Sequence, residues 1–230
     1  MTTTNPDRAR LLDAILIHVP FDGWSDGAFA AAAADCGMTA AQARAAAPRG
    51  AVDLAILHHR RGDAAMVAAL RAANLAPLRF REKVAFALNA RIDAMGDREV
   101  VRRASALFAL PHLAPEGARL IWGTADAVWT QLGDTDTDLN WYSKQATLSA
   151  VWASVVLFWL GDNEPGHPAT RAFIDRRIAD VMQIEKFKAQ VRDFAPLRPL
   201  AGALGRLAGM VRAPGKVPDV DLPGRWELPR

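Results

Sequence analysis

Few residues in this 230-residue chain are suited to chemistry, and their spacings fail the chemistries they suggest. The run Asp134-Thr135-Asp136-Thr137-Asp138 resembles the opening of a calcium loop. Such a loop requires Gly where Leu139 stands and a bidentate Glu where Gln145 stands. A polar turn in which Thr137 or Asp138 caps the next helix is the better reading. Glu164 and His167 have the Glu-x-x-His spacing of di-iron bundles, but Pro165 and Gly166 lie between them and no second such motif occurs. His18, His58, His59 and His112 stand in no ligand spacing with Cys or carboxylates. No nucleophile elbow, phosphate loop or dinucleotide fingerprint is present, and the lone Cys36 has no disulfide partner. The sequence therefore predicts no catalytic residue, no metal and no cofactor.

The elements that would carry these side chains are helical throughout. Hydrophobic residues make up 51% of the chain, Ala is abundant, and period-two β-branched runs are absent, so an all-α fold is expected. Helix starts are read near Asp7, Ser25, Thr39, Pro48, Asp63, Leu78, Asp97, Pro115, Asp138, His167 and Pro196. Thr39 with Gln42 has the form of a capping box, and Pro168 suits a first helical position. The Ala residues show no solenoid repeat and read as helical filler. Apolar stretches such as 148–160 are too short for a bilayer, which needs roughly 20 residues. Residues 1–10 are polar with no apolar run after them, so no secretory leader is expected. Residues 213–230 hold four Pro and two Gly and read as a disordered tail.

The opening helices have the layout of a tetracycline-repressor-type (TetR-like) helix-turn-helix: residues 7–18, a turn at Gly23, residues 25–35, a tight turn at Cys36-Gly37-Met38, and a third helix from Thr39. A DNA reader needs cations for phosphates and polar side chains for base edges. The third helix offers Thr39, Gln42, Arg44 and a run of Ala, and residues 1–60 hold five Arg against six Asp. The expectation is a degenerate scaffold and no nucleic-acid partner.

Trp122 and Trp129 are seven residues apart, as are Trp152 and Trp159, so each pair projects from one side of its helix. Leu148, Trp152, Val155 and Trp159 form an apolar stripe, and Phe80, Phe86, Leu107 and Phe108 add bulk upstream. The stripe either packs as ordinary core or lines a long apolar cavity whose candidate walls are Phe80, Phe86, Leu107, Phe108, Trp122, Trp152 and Trp159. Trp141 and Tyr142, by contrast, sit among polar residues at a helix start, a setting typical of contact anchors; Trp141 could equally tuck under the helix.

The run TDTDLNWYSKQATLSAVWASVVLFWL, preceded by Asp126, Trp129, Gly133 and Asp134 and followed by RAFIDRRIADVM, resembles the CoQ-nine family of lipid-binding accessory proteins of ubiquinone biosynthesis. The stretch HVPFDGWSDGAF is similar to that family too, and the resemblance covers residues 8–212. The family pattern reads T-D-F-N-W-Y, and here Leu139 replaces the Phe. The resemblance implies a TetR-like (FadR-like) fold that has lost DNA binding, forms a homodimer through its last long helices and holds isoprenoid lipids in an apolar cavity. It also implies a partner, the di-iron demethoxyubiquinone hydroxylase, met through a patch of Trp129, Asp138, Asn140, Trp141 and Tyr142.

Residues 186–212 carry six Lys/Arg against Asp193, a local excess of five positive charges in a chain of net charge +3. Within them Leu197, Leu200, Leu204, Leu207 and Val211 recur every three or four residues, with Arg198, Arg206 and Arg212 off the stripe. A separate C-terminal amphipathic helix lying in a membrane interface is the expectation, and the family's final helix binds membranes. The domain reading is a degenerate helix-turn-helix in 1–60, a lipid-binding and dimerisation region in 61–190, a membrane-binding helix in 195–212 and a tail in 213–230. The functional reading is a non-enzymatic factor, cytoplasmic and peripherally attached to the inner membrane. It binds ubiquinone precursors and presents them to the hydroxylase. The rival reading is a TetR-type ligand-responsive transcriptional regulator.

Overall fold

A computed structural model describes residues 5–133 and 139–193, the side chains of 139–141, 182 and 184–193 excepted. Among the described residues there are nine helices and no strand. They are α1 (Pro6–Asp22), α2 (Asp26–Asp35), α3 (Ala40–Ala46), α4 (Ala51–Ala72), α5 (Phe80–Asp93), α6 (Arg98–Phe108), α7 (Ala114–Gln131), α8 (Leu139–Trp159) and α9 (Pro168–Asp193). None of the described helices is long and apolar enough to cross a membrane.

Local caps set most of the starts. Asn5 accepts the amide of Asp7 at 3.0 Å, and Ser25 accepts that of Ala28 at 3.1 Å. Thr39 and Gln42 form the reciprocal capping box that their spacing suggested. Asp97 accepts the amide of Glu99 at 2.6 Å. At α9, the Asp162 carboxylate accepts from both the amide (2.9 Å) and the hydroxyl (2.6 Å) of Thr170, closing the first turn behind Pro168. These hydrogen bonds hold the Asp162 carboxyl below its ordinary range, Thr170 contributing most.

One expected start is corrected. Asp63 does not open a helix: α4 runs unbroken from Ala51 to Ala72, with Gly62 inside it. Gly62 is there because a Cβ at this position would lie 2.4 Å from Nη1 of Arg91, whose guanidinium crosses the helix at that point. Asp138 and Pro196, two other expected starts, lie outside the described residues.

The helices enclose two apolar cores. The head core gathers Leu11, Leu12, Ile15, Val19, Trp24, Phe29 and Leu54. The body core gathers Met66, Leu88, Val128, Leu148, Trp152, Val155, Trp159 and Ile174. Leu54 and Met66 both come from α4, so this helix contributes to both. Trp24 joins the head to α6 by donating its indole N–H to the Val100 carbonyl at 3.2 Å. Burial of side chains as large as Trp152, 1% exposed, contributes several kcal/mol each to holding the body together.

Candidate functional site

Between α4, α6, α7 and α8, with Arg91 and Met95 closing one side, lies a cavity of about 380 Å³. That volume is within the ~300–1,000 Å³ of small-molecule sites. Small side chains make the space: Ala55, Ala104, Ala109, Ala114, Ala118 and Ala153 line it, with Phe108, Ile121, Trp152 and Val156 as the large apolar walls. Gly117 lets α6 and α7 approach, since a Cβ there would stand 2.8 Å from that of Phe108. Leu157, also in the lining, is 68% exposed at the rim, and Leu110, next to Ala109, is 45% exposed.

The polar part of the wall is compact. His58 and His59 follow one another on α4, facing Arg91 of α5. Arg91, 3% exposed, donates from Nε to Asp63 at 2.7 Å and from Nη2 to the His59 carbonyl at 3.0 Å, and its guanidinium lies 5.4 Å over the Trp152 ring. The Thr124 hydroxyl donates to the same Asp63 oxygen at 2.9 Å. His59 Nε2 is 3.0 Å from Thr124 Oγ1 and 3.2 Å from the Leu120 carbonyl oxygen. Burial pushes both imidazoles down to about 4, with the Arg91 charge adding to the effect, so both are neutral near pH 7.

A second, smaller cleft of about 210 Å³ opens between α5, α7, α8 and α9. Phe80 stacks on Trp129 there, ring centroids 5.8 Å apart and planes 9° from parallel. Val84, Leu148, Val151, Ile178 and Val181 form its apolar walls, with Arg81 and Lys144 as the cations in its lining.

The expected site residues are therefore dispersed. Phe108 and Trp152 line the larger cavity; Phe80 and Trp129 line the smaller cleft. Phe86 packs against the body core and Leu107 against the head core. Trp159 lines neither space: it is 2% exposed, lies under the Arg98 guanidinium at 5.4 Å and meets the edge of His167 at 5.8 Å. Trp122 is half-buried on α7, and Tyr142 is half-buried on α8. Asn140 and Trp141 fall in the first turn of α8, and Asp138 lies outside the described residues, as do Leu197, Arg198, Leu200, Leu204, Arg206, Leu207, Val211 and Arg212. His58, His59 and Arg91 were not foreseen as wall residues. The adjacent His pair is visible in the sequence, but only packing shows which side of α4 meets the cavity. Among the described residues no group of three or more His, Cys, Asp or Glu could hold a metal.

The helix-turn-helix is present as α2 and α3 about the left-handed Gly37. Arg44, the cation of α3, pairs with Asp26 at 2.8 Å and lies 5.0 Å over the Phe29 ring, so its charge is matched within the head.

A helix-turn-helix head on an all-helical body, among the described residues, is the architecture of the TetR-like fold. In agreement, a TetR transcriptional regulator from Nitrosomonas europaea superposes with a TM-score of 0.64 at 18% identity, covering 76% of this chain and 97% of that one. The sequence comparisons add a family: residues 114–185 match the COQ9 family model. The chain is 32% identical over 90 residues to the mitochondrial ubiquinone biosynthesis protein COQ9 of Bos taurus, covering 39% of this chain and 28% of that protein. The Drosophila melanogaster protein of the same name is 27% identical over 191 residues, 80% of this chain and 57% of that one. The matched stretch thus spans under a third of the bovine relative's length. Over residues 114–185 the chain is similar to the COQ9 proteins.

Proposed function

We propose that this chain is a non-catalytic, lipid-binding accessory factor of ubiquinone biosynthesis. The observation that carries the reading is the apolar cavity of about 380 Å³, walled partly by residues of 114–121 and 152–157, both inside the COQ9-matched stretch. In this reading the cavity takes the ring of a polyisoprenoid quinone precursor and the first part of its tail, and the rest of the tail leaves past Leu157. The names of the relatives support the pathway, and the absence of any catalytic spacing in the sequence supports a role in binding and presentation.

The chain would pair through its last long helices, dock on the cytoplasmic face of the inner membrane through residues 197–212, and offer the lipid to a di-iron demethoxyubiquinone hydroxylase through the surface around Trp141 and Tyr142. The test is native mass spectrometry of protein purified from a quinone-making host. A bound isoprenoid lipid is expected, and lipid-free protein would overturn the cavity role. Pull-down of the hydroxylase by Trp141→Ala at the wild-type level would remove the partner surface, and unchanged liposome flotation of Leu204→Glu would remove the membrane contact. The TetR-like fold keeps one rival in view: salt-sensitive, sequence-selective retention of its own upstream DNA would favour a transcriptional regulator.

A further inference from the structure

The wall of the larger cavity has one polar side chain that the protein leaves unused. Arg91 is engaged by Asp63 and the His59 carbonyl. His59 is engaged by Thr124 and Leu120. The Ser105 hydroxyl donates to the Val101 carbonyl at 3.0 Å. His58, in the same lining, makes no hydrogen bond to any described residue; its ring rests tilted against Trp24 at 5.9 Å.

The charge balance is equally specific. Arg91 is the cation of this wall, and Asp63 matches it at 2.7 Å. The pocket therefore offers no uncompensated positive charge to an anion. Resting on the lipid-binding reading above, we propose that His58 is the head-group reader of the cavity and that it selects an uncharged hydrogen-bonding head, a phenol or quinone, over an ionised one such as a carboxylate.

The chemistry fits both oxidation levels of such a ring. A neutral imidazole carries one N–H donor and one acceptor nitrogen, so it can donate to a quinone carbonyl or accept from a phenolic hydroxyl. A carboxylate in the same place would need a cation, and burial lowers the His58 pKa to about 4, so the imidazole is neutral at pH 7. An anion would be left desolvated and unpaired.

The test uses the full chain, delipidated, and two probes with one tail: geranylphenol and geranic acid. Binding is read from tryptophan fluorescence, because Trp152 lines the cavity. At pH 7.5 geranylphenol should bind at least tenfold more tightly than geranic acid, one net hydrogen bond supplying about tenfold and the unpaired anion the remainder. His58→Phe should bind geranylphenol about tenfold more weakly than wild type while binding geranic acid as before, and His58→Gln, which can still donate and accept, should recover most of the phenol affinity. Equal affinity for the two probes in the wild type, or wild-type phenol binding by His58→Phe, overturns the assignment. If neither probe binds, the lipid-binding reading itself fails and the assignment with it. Thermal melts accompany each variant. If His58→Phe fails to fold, the wild-type probe ratio and His58→Gln still decide the question.

Discussion

At the residue scale, the two adjacent histidines give the protein a defined response to acid. In the fold both are neutral down to about 4, while each returns to about 6.5 when the chain unfolds. Between those values the unfolded chain binds more protons. Stability from this source is therefore complete above pH 6.5 and falls as the pH drops toward 4, by at most ~1.4 kcal/mol per pH unit for each imidazole. Denaturant unfolding of wild type and His58→Phe at pH 7, 6 and 5 should show the variant losing less stability than wild type over that range. Parallel losses would contradict the burial argument. Gly62 shows why such residues hide in a sequence. A glycine between two helix-forming stretches reads as a break, yet here it marks the path of a buried guanidinium from another helix. Only the neighbour across the packing, Arg91, gives it that meaning.

At the element scale, the helix starts were the most legible feature because their determinants are local. Thr39 with Gln42 and the proline at position 168 signal an N-terminus within a few residues of sequence. The Asp162–Thr170 contact spans eight residues and was not foreseen, although it belongs to the same class of device. Asp162→Ala would leave the Thr170 amide without its partner and free the turn before α9. A loss of about 1–2 kcal/mol is expected in chemical denaturation. A variant as stable as wild type would mean that Pro168 and packing alone hold that start. The Trp stripe on α8 was legible as a stripe, but its two ends differ in role. Trp152 faces the cavity, whereas Trp159 is sealed under Arg98, and nothing in their spacing separates them.

For the whole molecule, the alanines acquire a purpose that composition concealed. Read along the chain they are helix formers; gathered around one space they are the residues whose small size leaves it open. Filling that space should separate stability from binding. Ala153→Leu, on the cavity wall, should melt at or above the wild-type temperature while losing retained isoprenoid lipid in native mass spectrometry. Equal lipid retention would place the ligand elsewhere. The unbroken α4 has a further consequence. Because it supplies Leu54 to one core and Met66 to the other, neither core can melt while the other keeps the whole helix. The helix-turn-helix head is therefore tied to the body by unfolding cooperativity: scanning calorimetry should give one transition, with calorimetric and van't Hoff enthalpies equal, and two separated transitions would disprove it. Such a head cannot be deleted without loosening the body with which it shares α4.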